Sequence, residues 1–182
     1  MLIDPNIALV LPIEPQDHTQ GPADAPATLL WYGDYECDYC GRAFPIVKQL
    51  QADFGDRMQL VYRHFPVASI HPHASAAAQA AESAGAQQKF WEMHDVLFEQ
   101  QDHLADADLS HYAMRVGLEV YKFQSDLSSQ RFSKKVRRDY QSGLQSGVKG
   151  TPSFFINGFK FVGQRDLESL TAALNEAIAG AR

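Results

Sequence analysis

The chain has 182 residues, of which 45% are hydrophobic, a size that suits one domain or a domain carrying a sizeable insertion. Its formal net charge of −6 gives no general attraction to nucleic acid or anionic lipid. No run approaches the roughly 20 apolar residues that a membrane-spanning helix needs, so neither nucleic-acid binding nor membrane insertion is expected.

Residues 1–26 are rich in Pro, Gly and Asp and read as an extended arm able to add one strand. The opening run from Met1 to Pro12 is weakly apolar and carries Asp4 and Pro5 early. It lacks a basic n-region and a small-residue cleavage site, so it does not read as an export signal. A cytoplasmic location is the expectation, or a periplasmic one if the sequence is a truncated form.

Residues 27–35 are apolar and strand-like. From Cys37 to Asp53 the spacing of Phe44, Val47, Leu50 and Phe54 is helical. Gly55-Asp56 marks a turn, and residues 58–65 read as a second strand ended by Pro66. This strand–helix–strand unit suits parallel pairing with a right-handed crossover.

Helical language follows, over 73–86, 89–101, 106–117, 119–127 and 132–146. Asp106 or Asp108 can cap the third of these helices, and Gly117 stops it. Phe90, Trp91, Phe98 and Tyr112 are expected to pack within this block, with His94 at the edge of its core. The basic cluster Lys134-Lys-Val-Arg-Arg138 reads as a solvated helix face. Strand language returns at 153–157 and 159–162 around Asn157-Gly158, a strong hairpin signal. A last amphipathic helix, 166–179, places Leu167, Leu170, Leu174 and Ile178 on one face.

The expected class is α/β. Residues 1–66 form the arm and the first part of the core, 67–147 an all-helical insertion, and 148–182 the second part of the core.

The chain has two cysteines, Cys37 and Cys40, placed where a strand meets a helix. A Cys-x-x-Cys pair at such a junction reads as a redox dithiol. The alternatives are a small structural staple or half of a metal site. A staple closing so short a loop constrains the unfolded chain little, and a metal site lacks third and fourth ligands at convincing spacing. In a reducing compartment such a pair is catalytic or sensory.

If the helix begins at Cys37 or Asp38, the Cys37 sulfur lies beside free N–H groups at the positive end of the helix dipole. Both stabilise the thiolate, the attacking species in disulfide exchange. Cys40 follows about one turn later and is expected to be more buried. Cys37 therefore attacks, and Cys40 resolves the mixed disulfide.

Glycine-rich nucleotide and phosphate loops are missing from the sequence, so no cofactor is expected. Reducing equivalents must come from another thiol or disulfide, an unidentified redox partner. His64 is a candidate to lie near Cys37 and soften its acidic surroundings.

Several motifs together resemble the DsbA family of thioredoxin-fold thiol:disulfide oxidoreductases. They are Gly21-Pro-Ala-Asp-Ala-Pro26, Tyr32-Gly-Asp-Tyr-Glu-Cys37, Arg63-His-Phe-Pro66, His71-Pro-His-Ala74, Lys89-Phe-Trp-Glu-Met-His94 and Gly150-Thr-Pro-Ser-Phe-Phe-Ile-Asn-Gly158. They run in family order from about residue 20 to the end of the chain.

The resemblance implies a thioredoxin-like fold with an inserted all-helical domain. It implies a cis-Pro152 facing the cysteines, where the backbone of Thr151 pairs with a substrate strand. A trans-proline opening an edge strand fits the local sequence equally well. Thr151 is also a candidate contact of the resolving thiol. His71 and His73 take structural roles in a helix-start motif, and no metal is assigned.

Two departures from the family pattern stand out. Asp38 replaces the proline usual after the first cysteine, so Asp34, Glu36 and Asp38 crowd Cys37 against one base, Arg42. Like charge raises a thiol pKa, which predicts a less oxidising couple. Asp38 is also a favourable residue for a first helical turn, and Tyr39 joins the three acids as a modulating residue. Trp31 stands where the family often buries a carboxylate that serves the resolving thiol. Asp34 is a substitute whose spacing points it elsewhere.

The resemblance implies an enzyme exchanging disulfides with protein or low-molecular-weight thiols. The competing readings are a non-catalytic, redox-switched binding or chaperone module and a glutathione-linked transferase or isomerase. The retained second cysteine argues against the last.

Overall fold

In the computed structural model, which describes residues 1–180, the apolar run Ala27–Gly33 (β3) is buried along most of its length. That is the burial of a strand covered on both faces. It pairs in parallel with Met58–His64 (β4), in a register that sets Leu29 against Leu60 and Gly33 against His64. The crossover is the helix Asp38–Phe54 (α1), whose buried Cys40, Ala43, Val47, Leu50 and Phe54 recur at three- and four-residue steps. That period turns one stripe toward the sheet.

Ser153–Ile156 (β5) pairs antiparallel with the other side of β3, and Phe159–Phe161 (β6) follows it. The turn between β5 and β6 uses Asn157 at φ 47° and Gly158 at φ 83°. Two left-handed residues in a row match the twist of a tight hairpin.

The arm contributes two strands rather than the expected one. Ile3–Ala8 (β1) pairs with β6, and His18–Gln20 (β2) pairs with β4, giving the order β1-β6-β5-β3-β4-β2. Each added strand covers an edge that otherwise leaves a row of unpaired backbone groups. A buried cation fixes the path between them. The Arg63 guanidinium donates to both Asp17 carboxylate oxygens, at 3.0 and 2.7 Å, and to the carbonyls of Leu11 and Pro12.

Five helices lie between β4 and β5: Ala74–Gly85 (α2), Phe90–Glu99 (α3), Asp106–Arg115 (α4), Val120–Ser128 (α5) and Ser133–Gln145 (α6). Leu167–Gly180 (α7) closes the chain. One apolar cluster runs from Leu29, Trp31, Leu60 and Phe154 of the sheet through α1, α3 and α7. A smaller cluster on the opposite face joins Leu30, Tyr32, Val61, Phe65, Val148 and Phe155, with Tyr140 of α6 against it.

Three of the aromatics expected to pack within the helical block instead fasten it to the sheet. Phe98 stacks on Trp31 with centroids 5.0 Å apart, and Phe90 stacks on His18 at 3.5 Å. The Trp91 indole N–H donates to the carbonyl of Thr19. Tyr112 stays within the block and donates to the His103 carbonyl. His94 is fully enclosed rather than at a core edge, with its Nδ1 bonded to the Tyr35 hydroxyl at 3.0 Å.

The basic cluster on α6 is also only partly solvated. Lys135 reaches inward to Asp139, and Arg138 pairs with Glu14 of the arm.

The Arg63–Asp17 pair carries a test of the arm. Asp17→Ala leaves a buried guanidinium uncompensated and is expected to cost about 3–5 kcal/mol in denaturant unfolding. Glu92→Ala breaks an exposed pair with Lys89 and is expected to cost under about 1 kcal/mol.

Candidate active site

Cys37 is the first residue outside α1, with extended dihedrals of φ −84° and ψ 118°. Its carbonyl accepts from the N–H groups of Cys40 (2.9 Å) and Gly41 (3.0 Å), and its own N–H donates to the Asp34 carbonyl at 3.2 Å. Neither cysteine is in a disulfide. Cys37 keeps 6% of its surface accessible and Cys40 none. Only the first sulfur has a route to solvent.

The Cys37 thiol pKa is lowered to about 5. The largest cause is the Cys40 S–H, which donates to the Cys37 sulfur; burial opposes it. The Thr151 side chain and the backbone N–H groups of Cys40 and Tyr39 add to the lowering. Burial pushes the Cys40 thiol well up, and its bond to Cys37 pushes further in the same direction. Two cysteines one turn apart thus hold opposite protonation states.

This corrects the expectation that the nearby acids raise the Cys37 pKa. Asp34 is buried, but its carboxylate accepts from the N–H groups of Glu36 (2.9 Å) and Val67 (2.8 Å) and meets His71 Nδ1 at 2.7 Å. Glu36 accepts from the His73 N–H at 2.6 Å and meets its Nδ1 at 2.8 Å. Both charges are therefore engaged away from the sulfur. Asp38 and Tyr39 face solvent, and the Arg42 guanidinium sits 5.3 Å from the Tyr39 ring centre. The argument for a less oxidising couple loses its physical basis.

His71 and His73 do more than start a helix. The His71 pKa is raised: burial works against the charge, but the bond to Asp34 and the charges of Asp34 and Cys37 outweigh it. An imidazolium here persists to higher pH than in an ordinary histidine, and the Cys37 charge is among the causes that hold it. His64 is buried and engaged by other acids. Its Nε2 meets Glu82 at 2.8 Å, and its N–H donates to Asp139.

Trp31 leaves Cys40 without a carboxylate at the family's position. It is fully buried among Tyr62, His94, Phe98 and Phe154. Gly33 makes room here, because a Cβ at that position would meet the Tyr62 ring at 2.6 Å and its hydroxyl at 2.7 Å.

Sequence reasoning missed Gln101, which follows α3. Its Nε2 donates to the carbonyls of Tyr35 (2.8 Å) and Cys37 (3.0 Å), pinning the turn that carries Cys37. A Cβ at Gly41 would lie 1.8 Å from Gln101 Oε1. A glycine one residue after Cys40, inside a helix where it costs stability, was the available signal.

Opposite the sulfurs, the Thr151–Pro152 bond is cis. The Thr151 carbonyl lies 3.5 Å from Cys37 Sγ, and Arg165 Nε donates to the Pro152 carbonyl at 2.9 Å. The Thr151 side chain also reaches the Cys40 thiol.

His64, Glu82 and Asp139 bring ligand atoms within 4.8 Å of one another. Lys135 already supplies the cation there, with Nζ 2.7 Å from Asp139 and 3.8 Å from Glu82. His18 takes a further place, 2.9 Å from Glu82.

A dithiol at a helix start, facing a cis-proline loop on a mixed sheet, defines a thioredoxin-like fold. A family model described as thioredoxin matches residues 14–176. The chain belongs to that thioredoxin family, and its fold is that of the DsbA-like thiol:disulfide oxidoreductases.

BdbD from Bacillus subtilis, in its oxidised form, superposes with a TM-score of 0.80 at 22% identity, covering 89% of this chain and 92% of that one. A thioredoxin-like oxidoreductase from Silicibacter pomeroyi gives 0.80 at 26% identity, over 90% and 93%. Among curated sequences, the Na(+)/H(+) antiporter NhaA 1 of Salinispora arenicola is 44% identical over 177 residues, which is 97% of this chain and 27% of the antiporter. The chain thus spans about a quarter of the curated relatives it matches. Among the described residues no helix is long and apolar enough to cross a membrane.

A thiol pKa depressed from 9.0 to about 5 means that the reduced fold gains stability as pH rises through that window and loses it as pH falls. Alkylation of reduced protein by iodoacetamide, followed against pH, is expected to show a midpoint near 5 at Cys37. His71→Gln is expected to move that midpoint upward, because it removes a cation that favours the thiolate.

Proposed function

We propose that the chain is an enzyme exchanging disulfides with polypeptide or low-molecular-weight thiols through Cys37 and Cys40. The observation that carries this reading is the split of protonation states, with the accessible sulfur held low in pKa and the buried one high. A thiolate at neutral pH is the attacking species in exchange, and a buried thiol beside it is placed to take over the bond.

In the reducing direction the Cys37 thiolate attacks one sulfur of a substrate disulfide. A Cys37–substrate disulfide forms, and the other substrate sulfur leaves as a thiolate. Cys40 then attacks Cys37 Sγ, the Cys37–Cys40 bond closes, and the second substrate sulfur departs. The protein loses two electrons and the substrate gains them. The Cys40 proton passes to the departing sulfur or to water, since Trp31 provides no base. The oxidising direction reverses each step, and a second thiol or disulfide partner resets the pair.

The cis-Pro152 loop supports substrate placement. With no proline N–H near the sulfurs, the Thr151 backbone is open to a strand laid beside it. Asp34, Glu36, Asp38 and Tyr39 modulate the nucleophile, the first two through their histidines. Antiport, the property in the curated relatives' names, belongs to much longer proteins; the reading proposed here rests on the dithiol segment.

Reduction of insulin disulfides with a thiol reductant tests it. Wild type is expected to accelerate insulin precipitation, with Cys37→Ser at the uncatalysed rate. Cys40→Ser is expected to accumulate a mixed disulfide visible by mass spectrometry. Equal acceleration by wild type and Cys37→Ser would remove the reading.

A further inference from the structure

The net charge is −6, yet cations converge on one flank of the dithiol. A cavity of about 490 Å³ beside the cis-proline is lined by Tyr39, Thr151 and Pro152 together with Lys149, Lys160 and Arg165. Among the described residues neither Lys149 nor Arg165 has a carboxylate partner. Arg165 spends its Nε on the Pro152 carbonyl, and Lys160 spends its ammonium on the Gly147 carbonyl. Asp4 stands across from Lys160 on β1, but its carboxylate accepts from the backbone and side-chain N–H groups of Asn6. The Lys160 pKa is lowered by burial and then by Lys149 and Arg165, and the charge of Asp4 opposes them without cancelling them.

The opposite flank carries the other sign. A cavity there is lined by Glu36, Asp38, Asp102 and Asp108, with His73 engaged by Glu36. Tyr39 lines the first cavity and Glu36 and Asp38 line the second, so both border the turn that carries Cys37, and a chain laid across that turn passes from a negative rim to a positive one. Complementary potentials of this kind steer encounter and fix register.

We propose that the pocket of Lys149, Lys160 and Arg165 is a subsite for carboxylates of an acidic polypeptide segment whose disulfide meets Cys37. This rests on the oxidoreductase reading and names its substrate class. A polypeptide is favoured because the pocket continues the backbone edge of Thr151 and Ser153, which a strand laid beside the cis-proline follows past all three cations. The acidic rim repels carboxylates from the other side, which sets the direction of the segment.

The test is binding of cysteine-free peptides of one length, bearing Glu, Gln or Lys at the same positions, followed by backbone amide shifts of the reduced protein. The Glu peptide is expected to bind on the order of tenfold tighter than the Gln peptide at low salt, the sum of a few exposed ion pairs. Added salt is expected to erase the difference. Lys149→Gln/Lys160→Gln, which leaves Arg165 alone in the pocket, is expected to cut the preference for Glu to about twofold, and Lys149→Glu/Lys160→Glu to prefer the Lys peptide. Equal affinities in wild type, or a preference for Glu undiminished in the Lys149→Gln/Lys160→Gln variant, would overturn the proposal. Because no thiol takes part in the binding, loss of insulin turnover with the preference intact would fault the oxidoreductase reading alone.

Discussion

The bond from the Cys40 thiol to the Cys37 sulfur is the interaction on which the site depends. It works only because the two residues sit on the first turn of α1, one outside the helix and one inside it. The helix start brings backbone N–H groups to the outer sulfur, while the core excludes water from the inner one. Burial alone would push both thiols up. The hydrogen bond breaks that symmetry, and the thiolate falls to the sulfur that a substrate can reach.

The surroundings keep the helix start in place and its charge balanced. Gln101 ties the carbonyls of Tyr35 and Cys37 to the segment after α3, so the helical block positions the dithiol turn as well as covering the sheet. Asp34 and Glu36 look hostile to a thiolate in the sequence. In the fold each holds a histidine, and their pairs fasten the segment after β4 across the mouth of the site. Charge is then distributed by side: negative beyond Glu36 and Asp38, positive beyond the cis-proline.

Much of this architecture was legible in the residues because it rests on local pattern. The 3.6 period of Val47, Leu50 and Phe54, the Asn157-Gly158 turn and the Cys-x-x-Cys spacing each carry their own physics. What escaped reading depends on long-range partners. The arm reads as one strand because three residues around Thr19 are too few to show a period. Its second strand is set by Arg63, far along the chain, gripping Asp17. The acids were misjudged for the same reason, since counting charges near Cys37 leaves out His71 and His73, more than thirty residues away. Phe90, Trp91 and Phe98 announced burial correctly, but spacing alone does not tell which surface they cover.

A reduced protein that keeps Cys37 ionised and Cys40 protonated takes up one proton for every two electrons. The reduction potential of the pair, measured against pH, tests that most directly. Between pH 6 and 8 it is expected to fall by about 30 mV per pH unit. A slope of about 59 mV per unit, the value for two protons with two electrons, would mean that both sulfurs are protonated and would contradict the account.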